Sequence, residues 1–112
     1  MAYFNRGLTK AQMKNHEEAI KDIDLAIKLD PKNHLFYNGK GVSLIALKNY
    51  KDAMFNFNTS IKINPDFGQA YYNRGYVRQM GLNDKEGACK DWEVASAKGY
   101  KGANYYLKTY CK

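Results

Sequence analysis

The sequence predicts an all-α protein made of stacked helical hairpins, and two observations carry this prediction. Glycines recur every 34 residues, at Gly7, Gly41 and Gly75. Between them, apolar residues are spaced three and four apart, as in the segment 17–29, which is the pattern of an amphipathic helix. Units of this length stack because one unit alone cannot bury its apolar face. We therefore expect a right-handed α-α superhelix, a solenoid of about seven helices.

The helix boundaries follow from the periodicity and from the residues that stop helices. Asp-Pro at 30–31 and Asn-Pro at 64–65 each end a helix, because proline lacks an N–H and moves the preceding residue out of the α region. Lys-Asn pairs at 14–15 and 48–49 turn the chain inside each repeat. The expected helices cover about residues 2–13, 16–29, 34–47, 50–63, 67–80, 85–97 and 102–110.

The same period divides one domain, residues 1–112, into three repeats and a cap. Ala53 follows Ala19 by 34 residues, but Ala88 follows Ala53 by 35. We therefore expect a one-residue insertion near Gly81-Leu82, in the turn of the third repeat. The predicted units are repeat one (1–33), repeat two (34–67), repeat three (68–100) and a capping helix (101–112).

The motifs within these units identify a family resemblance. Tyr3-Phe4-Asn5-Arg6-Gly7 and Tyr71-Tyr72-Asn73-Arg74-Gly75 open two of the first helices. Each second helix carries a small, a bulky and a small residue in series: Ala19, Ile23, Ala26; Ala53, Phe57, Ser60; and Ala88, Trp92, Ala95. Over about residues 2–100 the chain resembles the tetratricopeptide repeat family. The resemblance implies a non-enzymatic scaffold whose concave groove, lined by the first helix of each repeat, binds a protein or peptide partner.

In that family the groove lies on the stripe next to the tyrosine and glycine positions. The resemblance places the following residues there: Phe4, Leu8, Gln12, Leu35, Asn38, Val42, Ile45, Gln69, Tyr72, Asn73, Tyr76 and Gln79. None of them is charged, so we predict an apolar or amphipathic peptide whose backbone is held by the amide side chains. The alternative is that part of this stripe is buried between neighbouring helices.

One branch of the family grips the acidic C-terminal tails of heat-shock chaperones with lysines, asparagines and an arginine. At the matching positions this chain has Phe4 and Leu8 in repeat one, Gly39 in repeat two and Asn73 in repeat three. The resemblance therefore does not extend to this clamp, and a chaperone tail is not the expected ligand.

Charged residues recur at one repeat position of each first helix and at one of each second helix. Arginine occurs with aspartate in repeats one and three, as Arg6 with Asp22 and Arg74 with Asp91. We predict that each guanidinium bridges the two helices of its repeat. The alternative is that these side chains are independent charges facing solvent.

The net charge of +7 raises the question of nucleic-acid binding, which depends on phosphate neutralisation by lysine and arginine. Each repeat, however, mixes both signs, and only residues 101–112 carry bases without acids. We read the excess as a solvated surface and do not expect a nucleic-acid partner. The longest aliphatic stretch, Val42–Leu47, is far below the roughly 20 residues of a membrane span.

Catalytic and metal-binding patterns are missing from the sequence. His16 and His34 lack a second ligand at metal-binding spacing, and no phosphate loop or nucleophile motif occurs. We expect no enzyme activity, no cofactor, no metal and no small-molecule substrate. Cys89 occupies a core position, and Cys111 could reach it in a disulfide if the cap packs back on repeat three; free thiols are the alternative.

Two further hypotheses compete with a peptide scaffold. The exposed ends of the stack could associate into a homo-oligomer, because an uncapped first helix leaves Phe4 and Leu8 at the edge. Alternatively, Met1 is not the natural start and the domain belongs to a longer, exported chain. The localisation stays open: we expect the cytoplasm if the chain is complete and export if it is part of a longer chain, because two cysteines do not decide the compartment.

Overall fold

Each predicted helix is present, and consecutive helices pack against each other as hairpins. The computed structural model describes residues 1–111, so Lys112, the last residue of the predicted cap, lies outside the described residues. Within 1–111 there are seven helices and no strand, and every helix boundary lies within one residue of its predicted position. The helices are α1 (Ala2–Gln12), α2 (His16–Leu29), α3 (His34–Ala46), α4 (Tyr50–Ile63), α5 (Gly68–Met80), α6 (Lys85–Ala97) and α7 (Ala103–Tyr110).

The predicted all-α repeat solenoid is confirmed. The stack measures 41 × 25 × 20 Å. No helix among residues 1–111 has both the length and the apolar character to cross a bilayer.

The turn inside each repeat uses one residue in the left-handed region. These residues are Lys14 at φ 64°, Lys48 at φ 61° and Asn83 at φ 53°. The first two are 34 residues apart and the next two are 35 apart, so the predicted insertion in repeat three is confirmed, between the end of α5 and Asn83. Left-handed backbone reverses the chain sharply enough for the second helix to pack on the first.

One bulky side chain fills the centre of each hairpin. Ile23, Phe57 and Trp92 are all fully buried. The recurring glycine makes room for this side chain: a Cβ added to Gly75 would lie 2.6 Å from Trp92 Nε1. The glycine period and the bulky-residue period are therefore two sides of the same contact.

The predicted ion pairs of repeats one and three are confirmed. Arg6 donates Nε and Nη2 to the two carboxylate oxygens of Asp22, at 2.9 and 2.8 Å. Arg74 makes the same two bonds to Asp91, at 3.0 and 2.7 Å. A second cation reaches each aspartate from the next turn of the first helix: Lys10 in repeat one and Arg78 in repeat three.

The cap is fixed to repeat three by a disulfide and by aromatic stacking. Cys89 of α6 and Cys111 after α7 are paired, with Cα atoms 5.7 Å apart, and so the alternative of free thiols is excluded. Tyr106 and Tyr110 of α7 lie over Trp92, with ring centroids 5.0 and 5.9 Å from it. Helix α7 is therefore linked covalently to the third repeat and covers it. Among the described residues, no helix precedes α1 of the first repeat.

Candidate functional site

The first helices α1, α3 and α5 surround one pocket, which we call the concave pocket. It has a volume of about 370 Å³. Its lining residues are Phe4, Leu8, Ala11, Leu35, Asn38, Gly39, Val42, Ser43, Phe67 and Gln69. Within residues 1–111, no charged side chain belongs to this lining.

Half of the sequence-predicted groove residues come together in the concave pocket. They are Phe4, Leu8, Leu35, Asn38, Val42 and Gln69. Leu8 and Val42 are 39% and 44% exposed, so their methyl groups are the most accessible apolar surface of the pocket. Phe4 is nearly buried and packs on Phe36 at 4.9 Å between ring centroids, so its ring is part of the core as well as the pocket wall.

A pair of buried amides joins α3 to α5 beside this pocket. Asn73 donates Nδ2 to Oδ1 of Asn38 at 3.0 Å, and both side chains are only 7% exposed. This one bond leaves Nδ2 of Asn38 as a donor and Oδ1 of Asn73 as an acceptor without a side-chain partner among the described residues. A peptide group offers the complementary acceptor and donor.

The structure does not bring the other predicted groove residues into the lining of this pocket. The ring of Tyr72 packs against Tyr100, in the turn before α7, and Tyr106 of α7, with centroids 4.8 and 5.4 Å away, so these two residues close that end of the stripe. Burial, together with the hydrogen bond to Tyr106, raises the pKa of Tyr72 far above its ordinary value. Ile45 packs on the core of the second hairpin instead.

The remaining predicted positions lie beside the pocket without lining it. Gln12 is exposed at the end of α1, and Tyr76 is half-buried. The side chain of Gln79 buries its Oε1 without a hydrogen-bond partner. Asn73 meets the pocket only through its bond to Asn38.

Sequence reasoning missed four lining residues: Ala11, Gly39, Ser43 and Phe67. Gly39 sits over the Phe4 ring, where an added Cβ would lie 2.9 Å from Cε1, so the missing side chain leaves the pocket open. Phe67 precedes α5 and stacks edge-on against His34 at 4.7 Å. An aromatic residue two positions after Pro65 was the available signal. The helical stripe did not include it because it lies in a turn.

No arrangement of catalytic or metal-binding groups accompanies the pocket. Residues 1–111 hold no group of three or more histidine, cysteine, aspartate or glutamate side chains placed to bind one metal ion. What the lining offers chemically is aliphatic and aromatic surface with a few amide and hydroxyl groups.

Comparison with protein families decides the classification of this repeat. Two family models, both described as tetratricopeptide repeat, match residues 1–33 and 35–67 and together span more than half of the chain. The chain belongs to the tetratricopeptide repeat family. The sequence-based identification is thereby confirmed. Tetratricopeptide repeats are protein-interaction modules and are generally non-enzymatic, so the chain is a protein-interaction scaffold.

Solved tetratricopeptide repeat structures share the fold at low sequence identity. The first repeat domain of Spaghetti (RPAP3), bound to the HSP90 peptide SRMEEVD, superposes with a TM-score of 0.92 at 22% identity, covering 98% of this chain and 88% of that one. The second domain of human RPAP3, in complex with the HSP70 peptide SGPTIEEVD, gives 0.88 at 22% identity, covering 98% and 92%. The Arabidopsis OM64 domain gives 0.88 at 21%, covering 96% and 93%.

No curated protein matches the chain significantly. The structural likeness at these identities establishes the fold of this tetratricopeptide repeat domain, and the ligand has to be argued from the pocket itself.

Proposed function

We propose that the concave pocket binds an apolar or amphipathic peptide segment of a partner protein. The observation that carries this proposal is the uncharged lining, in which accessible Leu8 and Val42 stand beside the Asn38–Asn73 amide pair. Covering the exposed part of each aliphatic side chain would contribute about 1 kcal/mol. The amide pair would add a donor and an acceptor for one peptide group, which fixes the orientation of the segment.

Acidic peptides suit this pocket poorly. The peptide printed for the Spaghetti complex, SRMEEVD, carries three acidic residues. The positions that hold lysine, asparagine or arginine in the chaperone-binding branch are Phe4, Leu8, Gly39 and Asn73 here, so none of them carries a cation. A carboxylate brought against them loses its hydration without gaining a counter-charge. The proposed ligand therefore differs in charge from the peptides of these structural neighbours.

Selection from a random peptide library against the intact domain tests the proposal. We expect enrichment of segments with two or three large apolar residues and no acidic cluster. The double variant Leu8→Lys/Val42→Lys should weaken capture of the enriched peptides at least about tenfold, because two charges would enter the apolar contact. Thr9→Lys is the matched control: it adds a lysine at an exposed position of α1 outside the lining.

Circular dichroism of all three proteins establishes that the helices are retained. Enriched peptides that bind the double variant as tightly as the unchanged domain would refute the pocket assignment. Enrichment of acidic tails would refute the proposed ligand chemistry. Light scattering across a concentration series tests the competing hypothesis that the domain forms a homo-oligomer. A molar mass of one chain at high concentration would refute that hypothesis.

A further inference from the structure

A second pocket lies on the opposite face of α3, where α2, α3 and α4 meet. We call it the rear pocket, and its volume is about 330 Å³. Its lining residues are Asp24, Ile27, Tyr37, Lys40, Leu44, Asp52, Phe55 and Asn56. Nothing in the peptide-binding proposal uses this surface, so a role for it has to be derived from its own chemistry.

In repeat three the corresponding space is filled by the chain's own arginines. Arg74 donates two hydrogen bonds to Asp91 and lies over the ring of Tyr71, 5.6 Å from its centroid. Arg78 adds a third bond to the same carboxylate at 2.8 Å. Repeat one repeats the arrangement, with Arg6 lying 5.4 Å from the centroid of the first repeat's tyrosine.

Repeat two keeps the tyrosine, as Tyr37, but differs at the three charged positions of this cluster. Lys40 stands at the arginine position, Leu44 at the position of the second cation and Asn56 at the position of the aspartate. Lys40 does not bond to Asn56; its Nζ lies 2.7 Å from Oδ1 of Asp24 in the preceding repeat. These substitutions, with the displaced lysine, leave the space open as the rear pocket.

Two groups in the rear pocket consequently lack the partner that their counterparts have. Asn56 is 5% exposed and donates Nδ2 to the carbonyl oxygen of Asp52 at 2.8 Å, whereas its Oδ1 has no partner among residues 1–111. Tyr37 donates its hydroxyl to the Pro31 carbonyl at 2.7 Å, and no cation within the described chain lies over its ring. The amide oxygen of Asn56 is therefore free to accept a hydrogen bond from a ligand, and the ring of Tyr37 can receive a cation.

The charge and rim of the rear pocket point to the same kind of ligand. Two carboxylates, Asp24 and Asp52, stand against the single ammonium of Lys40. The rim residue Phe55 is 68% exposed. At its position repeats one and three have Lys21 and Lys90, so repeat two has lost a repelling charge and gained exposed aromatic surface.

We propose that the rear pocket binds an arginine side chain of a protein partner. A guanidinium there would stack on Tyr37, donate to Oδ1 of Asn56 and pair with the carboxylates, while its methylene stem packs on Phe55. It would thus supply from another chain the contacts that Arg74 makes within repeat three. A lysine lacks the planar fork that stacks and donates at the same time.

Amide-resolved NMR spectra of the intact domain, titrated to millimolar concentration with acetyl-Gly-Arg-Gly-amide, test this proposal. We expect shifts concentrated at Tyr37, Phe55 and Asn56. The citrulline peptide has nearly the same shape without the charge, and we expect it to bind about tenfold more weakly. Equal shifts with citrulline or norleucine in place of arginine would overturn the proposal, as would no shift at all or shifts confined to the concave pocket.

A variant that restores the pattern of the other repeats is the sharpest control. Lys40→Arg/Leu44→Lys/Asn56→Asp gives repeat two a cluster of the kind that repeat one already folds with, and it should keep the helical spectrum and lose the arginine peptide. Persistent binding by this folded variant would contradict the proposal. Should it fail to fold, the surface change Phe55→Lys must weaken binding several-fold. Leu8→Lys/Val42→Lys should leave binding unchanged, which separates this site from the peptide-binding one.

Discussion

Repeats one and three hold their two helices together with a charged cluster, whereas repeat two does not. In the outer repeats a nearly buried aspartate receives hydrogen bonds from arginine across the hairpin, at Asp22 and at Asp91. In repeat two the equivalent Asn56 bonds only to its own helix, and the nearby cation turns to the preceding repeat. The middle repeat packs against a neighbouring repeat on both sides, so it can lack the arginine–aspartate cluster and still be stabilised by packing.

The comparison also explains where the surface is available for binding. A cluster in which each charge is paired has few open hydrogen-bonding sites. Removing the cluster from the middle repeat opens the rear pocket and leaves Oδ1 of Asn56 unpaired within residues 1–111. We infer that the charged clusters stabilise the two outer repeats, whereas their loss in the middle repeat makes the rear pocket available for binding.

The largest expected effect on stability comes from removing the aspartate of the charged cluster in repeat three. Asp91→Ala removes the carboxylate that Arg74 and Arg78 share, and leaves Arg78 only the more distant Asp84 at 3.8 Å. We expect a loss of about 3 kcal/mol in the free energy of unfolding. Asn56→Ala in repeat two should cost only about 1 kcal/mol, since it removes one neutral hydrogen bond. Urea denaturation of both variants measures the difference. Equal losses would show that the middle repeat depends on its amide as the outer repeat depends on its carboxylate.

The second effect concerns the end of the stack that the disulfide-linked helix α7 covers. Cys89→Ser/Cys111→Ser opens a loop with a sequence separation of 22 residues, and we expect a loss of roughly 2–3 kcal/mol. Trp92 is the single tryptophan and lies under the cap, so its fluorescence reports directly on release of α7. Reductant should change the unaltered protein in the same direction and leave the double variant unaffected. An unchanged melting temperature in the variant would mean that aromatic stacking alone holds the cap.

Sequence alone predicted the helices because the determinants are local and repeated. The 34-residue step of Gly7, Gly41 and Gly75 marks a contact that each hairpin makes within itself, and the arginine–aspartate pairs are likewise internal to a repeat. The left-handed turn residue Asn83 follows Lys48 by 35 positions, as the one-residue insertion predicted from the alanine spacing requires. Within a repeat, therefore, residue identity and spacing were sufficient.

The candidate site was less predictable because it depends on contacts between repeats. Tyr72 occupies a groove position by spacing, but Tyr100, in the turn before α7, and Tyr106 of α7 pack against its ring. Phe67 enters the concave pocket from a turn, where no helical stripe could place it. The sequence shows that Lys40 occupies the arginine position, but it does not show that the ammonium pairs with Asp24 of the preceding repeat and not with Asn56. A long side chain can reach several partners, and the spacing of residues along the sequence does not determine which partner it contacts.

A third effect concerns the acid stability of repeat one, which has a paired aspartate where repeat two has Asn56. Hydrogen bonds from Arg6 and Lys10 lower the pKa of Asp22 to about 2, below the value near 3.9 of an unfolded chain. A lowered carboxyl pKa contributes stability that is fully present above the unfolded value and is lost as the pH falls from about 4 through about 2. Arg6→Gln should reduce the part of the acid-induced loss that falls in this window. Identical acid denaturation curves for the variant and the unaltered protein would rule out this contribution of Asp22.

The smallest effect lies in the middle repeat, at His34. Asn64 directs its Nδ2 to Nε2 of His34 at 3.1 Å, because its Oδ1 already accepts from the Asp66 amide. His34 Nε2 accepts this bond, whereas its buried Nδ1 has no hydrogen-bond partner among residues 1–111. Burial lowers the pKa of the imidazole from its ordinary value near 6.5. Between the folded and unfolded pKa values the unfolded chain binds more protons, so stability is fully present above the unfolded value and falls as the pH drops below it.

His34→Gln removes the titrating group and should flatten this part of the stability profile, measured by urea denaturation between about pH 7.5 and 5.5. Arg6→Gln should leave the same window unchanged, because Asp22 stays ionised throughout it. A variant profile that keeps the full slope would assign the titration to another group. The predicted pattern gives repeats one and two separate pH windows, since one buries a paired carboxylate and the other an imidazole that has to stay neutral.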